Sequence, residues 1–298
     1  MRGELFGFIG ILILIFVLWI STGGPSRPIS FSGPYLNPIK TTGTTAQPYG
    51  DPSKFSSINS NITVGVSGVD VTAGTSAFSG EIAFSSDYYG ATQTNPEKEY
   101  VVITLSPGTT RTISTAGWKI ISRESGNKGA FPQGAEIPRS GRVNTLAPLL
   151  LHAGDKIIIM TGRSPVGVSF RENKCTGYLE EHQDFHPSLS QNCPTPSEEF
   201  SRYYRGGDTD GTCATYINSI PYCATETSLY GTISSSCENF VEDHLNYNSC
   251  VDAHKNDADF KTNTWRVFLE KHSELWRASR ETITLLDANN KVIDSIMY

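Results

Sequence analysis

The residues best suited to covalent chemistry in this chain are its six cysteines, which all fall in one stretch: Cys175, Cys193, Cys213, Cys223, Cys237 and Cys250. An even set behind an export signal reads as a disulfide framework, because paired thiols persist in oxidising compartments and not in reducing ones. Sequence alone does not choose among the many pairings. Short loops close at the lowest entropic cost, which favours Cys175–Cys193, Cys213–Cys223 and Cys237–Cys250. No C-x-x-C occurs and the spacings fit no zinc module.

Other candidate constellations are thinner. His182 and His186 stand four apart beside Glu180, Glu181 and Asp184, a spacing that on a helix presents both rings to one metal ion. No third ligand is indicated and the H-E-x-x-H order is absent, so a solvated acidic segment is the favoured reading. Asp208-Thr209-Asp210-Gly211 has the opening of a calcium loop but lacks the bidentate Glu that would complete it, and a polar turn is favoured. There is no G-x-S-x-G elbow, phosphate loop or dinucleotide fingerprint. A carboxylate pair for glycoside hydrolysis is set by space and not by sequence, so that chemistry stays open. No catalytic residue, cofactor or metal is expected.

The elements that would position these residues change character along the chain. Leu5 to Ile20 is an uncharged apolar run, longer than a signal-peptide core and close to the length a bilayer-spanning helix needs. With Arg2 on its short flank, residues 1–24 are expected to be a transmembrane anchor with the N-terminus inside and the rest of the chain extracytoplasmic or on the cell surface. Ser21 and Gly23 leave cleavage open. Residues 25–61 are rich in Gly, Pro, Ser and Thr and read as a flexible spacer. Asn61-Ile62-Thr63 matches a glycosylation sequon.

From residue 62, short β-rich runs recur: Gly80–Ser86, Glu99–Ser106, Thr112–Ser114, Gly117–Ile121, Thr145–Leu151 and Lys156–Thr161, with a turn to an edge at Gly134–Pro138. This spacing predicts a β-sandwich or barrel. Residues 172–263 differ, carrying 15 acidic and 5 basic residues against a chain net charge of −6. They read as a helical, disulfide-stapled insert, with helices over Ser197–Tyr204, Thr215–Ile220 and Ser236–Leu245, the last capped by Ser236. Trp265–Trp276 has helical spacing, and Glu281–Tyr298 reads as a hairpin turning at Asp287–Asn290. Ile283, Leu285 and Val292 of that hairpin should pack on Trp118 and the Val101–Ile103 strand, with the insert looping out and replaceable by a short linker.

Taken together, several segments resemble the lamin-tail domain. They are Ser79-Gly80-Glu81-Ile82, Asn95–Ile103, Gly117-Trp118-Lys119-Ile120-Ile121, Phe131-Pro132 with Gly134, Leu149–Leu151 with Ala153-Gly154-Asp155, Trp276 with Thr282–Asp287, and Asn290–Tyr298. The resemblance covers about residues 79–170 and 264–298 and implies an immunoglobulin-like sandwich with no catalytic residues. The cysteine-rich insert is not part of the basic domain but resembles segments of exported bacterial lamin-tail proteins. Asn290 stands where the family usually has Gly, and Asn can fill that conformation.

The expected function is therefore that of a non-catalytic surface protein, anchored through its N-terminal helix, with a protein or glycan partner at the cell envelope. The net acidity gives no reason to expect a nucleic-acid partner. The alternative is a hydrolase with its site where insert meets sandwich. Trp265, Trp276, Phe268 and Tyr298 read as core, though a carbohydrate-binding face has a similar composition.

Overall fold

The computed structural model describes residues 65–66, 69–70, 74–205, 211–225 and 233–298. The anchor, the spacer and the sequon lie outside the described residues. Among the described residues, no helix is long and apolar enough to cross a membrane. The fold is mixed α/β and β-rich.

In chain order the strands are β1 (Gly65–Val66), β2 (Val69–Asp70), β3 (Ile82–Phe84), β4 (Tyr100–Leu105), β5 (Ile113–Ser114), β6 (Lys119–Ser122) and β7 (Lys128–Ala130). They continue with β8 (Gly134–Ala135), β9 (Leu150–Leu151), β10 (Lys156–Met160), β11 (Ser169–Asn173), β12 (Lys261–Phe268), β13 (Thr282–Leu286) and β14 (Val292–Met297). Among the described residues, four α-helices, α1 (Pro196–Tyr203), α2 (Thr212–Ser219), α3 (Ser235–His244) and α4 (Tyr247–His254), lie between β11 and β12. Thr195 and Glu198 form a capping box at α1, with Pro196 in the first turn. Helix α3 is capped by Ser234, two residues before the cap expected from sequence.

Two sheets enclose the main core. One has six strands in the order β3-β4-β10-β12-β11-β8, the other four in the order β14-β13-β6-β7. Val101, Ile103, Ile157, Ile159 and Trp265 of the larger sheet meet Ile120, Ile283 and Leu285 of the smaller, together with Trp118 and Trp276. The hairpin of β13 and β14 thus packs Ile283 and Leu285 as its sequence suggests. Val292 instead joins Ile121 and Leu286 in a separate small cluster. The hairpin turn uses Asn290 at φ 59°, and the Asp287 carboxylate accepts from the N–H groups of Asn289 at 2.8 Å and Lys291 at 3.0 Å. An Asn supplies the left-handed position because its short polar side chain tolerates it.

Two expectations are corrected. Trp265–Trp276 is not a helix: its first part lies in β12, which pairs parallel with β10 and antiparallel with β11. Successive side chains of a strand point to opposite faces. Trp265 and Val267 enter the core between the sheets, while Phe268 enters a second core beyond the larger sheet. A strand with both faces covered carries apolar residues at both parities, and that pattern mimics helical spacing.

The insert, secondly, does not loop out. It packs on the outer face of the larger sheet, where Ile158, Met160, Phe170 and Phe268 meet Tyr178, Leu179, Phe185, Leu189, Tyr247 and Val251. Replacing it with a linker would leave that sheet face in water. The sheet is therefore a middle layer, covered on one side by the smaller sheet and on the other by the insert.

Phe170 makes this testable. It is fully buried, with ring centroids 6.1 Å from Phe185 and 6.3 Å from Phe268. Phe170→Ala should cost about 3–5 kcal/mol, read from the shift of a denaturant midpoint at constant slope. A loss below about 1 kcal/mol, the range of surface changes, would mean the insert does not seal this face.

Candidate functional site

All six cysteines are paired, but no pair is the one that loop length favours. The bonds are Cys175–Cys250, Cys193–Cys223 and Cys213–Cys237, with sequence separations of 75, 30 and 24 residues. Tertiary packing overrides the small entropic preference for short loops, since doubling a loop costs only about 0.6 kcal/mol. Cys175–Cys250 and Cys193–Cys223 lie in the core beneath the insert. Cys213–Cys237 joins α2 to α3 in an outer lobe with Ile217, Phe240 and Val241. Gly177 sits against the Cys193–Cys223 bond: a Cβ there would lie 2.3 Å from the Cys223 Sγ. Only glycine permits that approach.

The junction of insert and sheet is organised by Arg266. This β12 side chain is 2% exposed and faces the insert. Its Nε donates to Glu172 Oε1 at 2.5 Å, its Nη2 to the Ser188 carbonyl at 2.9 Å, and its Nη1 to the Pro187 carbonyl. One guanidinium thus fixes a strand carboxylate and two insert carbonyls, a use of the rigid planar fork that Lys cannot reproduce. Where residues 183–186 of the insert meet the sheet, a cavity of about 290 Å³ is lined by Met160, Phe268 and Phe185 with Glu97, Asp184 and His186.

A larger open groove, about 600 Å³, is lined by the loop at Val143–Ala147, by Lys261 and Trp265 of β12 and by His152 after β9. Val143 is fully exposed at its lip. An ionic chain runs along its edge. Lys261 reaches Glu136 at 3.0 Å, and Arg171 bridges Glu136 at 3.4 Å and the buried Asp155 at 3.2 Å while lying over the Trp265 ring.

Within the insert, His254 is buried with Nε2 2.7 Å from Glu199 and Nδ1 2.7 Å from Asp257. Standing between these two carboxylates, the ring links α1 to the turn after α4. The His254 hydrogen bond, followed by one from Lys174, holds the Asp257 carboxyl below its ordinary value. In the sandwich, Glu99 accepts from the Leu275 N–H at 2.8 Å and the Trp276 N–H at 3.4 Å. Burial outweighs these two donors and pushes its carboxyl from 4.5 up to about 7.

The candidates raised by sequence are scattered. His182 is exposed near Glu181, and His186 lines the junction cavity; both lie in irregular chain, so the helical spacing for a shared metal is not realised. Among the described residues no group of three or more His, Cys, Asp or Glu side chains could hold a metal ion. Asp208–Asp210 lie outside the described residues. Trp265, Trp276 and Phe268 are buried core, and Tyr298 is half-buried. Sequence reasoning missed Arg266, Glu172, His254 and Glu99. The legible sign for Arg266 was a charge inside an apolar strand run, Trp265-Arg266-Val267-Phe268.

Two predictions follow from these buried charges. Arg266→Met strands Glu172 and two carbonyls, so it should cost about 3–5 kcal/mol, and Arg266→Lys should recover only part of it; full recovery by Lys in equilibrium unfolding would contradict the fork geometry. For Glu99, the native state holds a proton between pH 4.5 and about 7 that the unfolded chain releases. Its contribution is present in full below 4.5 and is lost as pH rises to about 7, a change on the order of 3 kcal/mol. Glu99→Gln should flatten the fall in stability across that window, and an unchanged slope would show that the group does not titrate there.

Comparison of the chain with protein-family models, with curated proteins and with solved structures finds no match, so the reading of its function rests on residues and geometry.

Proposed function

We propose that this chain is a non-catalytic binding or structural protein displayed outside the cytoplasm. The observation that carries the reading is the set of three disulfides, two of them inside the core that seals the larger sheet. Such bonds form and persist in oxidising compartments, and a small insert of short helices gains about 2–5 kcal/mol from each. In this proposal the apolar run Leu5–Ile20 tethers the chain and residues 25–61 hold the folded part away from the bilayer. The folded part is an immunoglobulin-like sandwich of lamin-tail type, and the insert is a display surface for a protein or glycan at the cell envelope. The rigid seating of the insert through Arg266 and its disulfides supports that role, since binding loops work best on a fixed scaffold. Its excess of carboxylates favours a partner other than nucleic acid.

One observation favours a second reading, a tethered hydrolase. The cavity at the junction of insert and sheet places Glu97, Ser164, Asp184 and His186 around one space. Under that reading Glu97→Gln or His186→Ala abolishes turnover of an ester or glycoside substrate without lowering the melting temperature.

Protease added to intact cells should cut within residues 25–61 and release a folded fragment in which thiol-specific labelling finds no free cysteine. A fragment protected until the membrane is broken, or one with three or more free thiols, would contradict extracytoplasmic display.

A further inference from the structure

The segment between β12 and β13, residues 270–280, is held shut against several local costs. Most of it faces water, but Leu275 and Trp276 turn inward and join the core between the sheets. Among the described residues four that are not glycine have positive φ, and two of them bracket this segment, Glu270 at 56° and Arg280 at 54°. Side chains of this kind seldom adopt the left-handed region. They persist there only where the surroundings over-determine them. The Trp276 Nε1–H adds a third cost, because it is buried with no acceptor in the protein.

Glu99 closes the middle of the segment. Its fully buried carboxyl accepts from the N–H groups of Leu275 at 2.8 Å and Trp276 at 3.4 Å. The buried Thr161 hydroxyl beside it has no other hydrogen-bond partner. The titratable groups that face it are acidic: Glu274 on the segment, and Tyr298 after β14, which also feels Glu281. No cation pairs with it. A carboxyl buried without a cation favours its neutral form. The other ties lie mostly at the ends. The Ser164 N–H donates to Glu270 at 3.1 Å, the Lys271 N–H to the Thr161 carbonyl at 2.9 Å, and the Arg277 N–H to Glu281 at 3.1 Å. Ser125 Oγ donates to the Leu275 carbonyl at 3.1 Å.

We propose that residues 270–280 form a proton-gated strap, closed while the Glu99 carboxyl holds its proton and released as that proton leaves, with Glu270 and Arg280 as its hinges. Release brings the carboxyl and the indole N–H into water and lets both hinge residues leave the left-handed region. It presents Leu275 and Trp276, an adjacent apolar pair, near neutral pH and withdraws them in acid. The switch lies in the sandwich, so it does not depend on the display role given to the insert above.

In the closed strap, burial lifts the Glu99 carboxyl from 4.5 to about 7; in the open strap it returns to its ordinary value. Opening is then independent of pH below 4.5, rises tenfold per pH unit from there to about 7, and levels off above, roughly 300-fold in all.

The test is hydrogen exchange of the full chain in detergent micelles from pH 5 to 8, corrected for the intrinsic rate at each pH and read at the Leu275 and Trp276 amides. Their protection should fall tenfold per pH unit up to about pH 7. At every pH it should be lower than that of β13, which opens only when the sandwich unfolds. Glu99→Gln, whose amide does not ionise, should remove the dependence on pH. Arg280→Gly, which relieves one hinge, should raise strap protection roughly threefold or more at every pH and leave the slope unchanged. Equal protection of strap and β13 would overturn the proposal, since the strap would then never open alone. A parent without the slope, or a slope that survives Glu99→Gln, would overturn it too. If Glu99→Gln does not fold, the parent and Arg280→Gly decide, and a strap less protected in Arg280→Gly than in the parent contradicts the hinge.

Discussion

The fold depends on one strand being covered on both faces. β12 delivers Trp265 and Val267 to the core between the sheets and Arg266 and Phe268 to the core beneath the insert. A layer buried on both sides must pair the charges it carries inward, since an unpaired buried charge costs several kcal/mol. Arg266 meets that demand by holding Glu172 and the carbonyls of Pro187 and Ser188. The pairing that tolerates an arginine at this depth is the same pairing that seats the insert.

Several other features follow from that arrangement. The insert contains short helices with small apolar faces, and its larger apolar cluster is completed by Ile158, Met160, Phe170 and Phe268 of the sheet. Two of its disulfides lie where it meets the sheet, and the third closes the outer lobe of α2 and α3. Among the described residues of the acidic stretch 172–263, Asp252, Asp257, Glu172 and Glu199 meet Arg139, Lys174, Arg266 and His254, so part of its charge is paired where the packing and cross-links hold the chain. The insert, proposed above as a display surface, is seated on the larger sheet and on the core beneath it.

Much of the sandwich was legible in the sequence. β4, β6, β10 and the closing hairpin stand out through β-branched runs and turn residues, and α3 through the apolar spacing of Phe240 and Val241, though its cap is Ser234 and not Ser236. The covering of the outer face was also written there, in Ile157-Ile158-Ile159-Met160, a run with no polar alternation. Such a run marks a strand buried on both sides. It was not separable from ordinary core by local pattern, and β12 was misread for the same reason. The cysteine pairing was not legible, because it follows from where α4 and the 190s segment dock. The links of His254 to Glu199 across 55 residues and of Glu99 to Leu275 across 176 likewise have no local signature.

The central claim is that insert and sandwich are one cooperative unit sharing the larger sheet. Denaturant unfolding followed by two probes tests it most directly. Fluorescence of Trp118, Trp265 and Trp276 reports the core between the sheets, and hydrogen exchange at the α4 amides around Tyr247 and Val251 reports the core beneath the insert. Coincident transitions with one midpoint are expected of a single unit. Loss of α4 protection at lower denaturant, while tryptophan emission keeps its native signal, would show that the insert is an independent appendage and that the shared-sheet account is wrong.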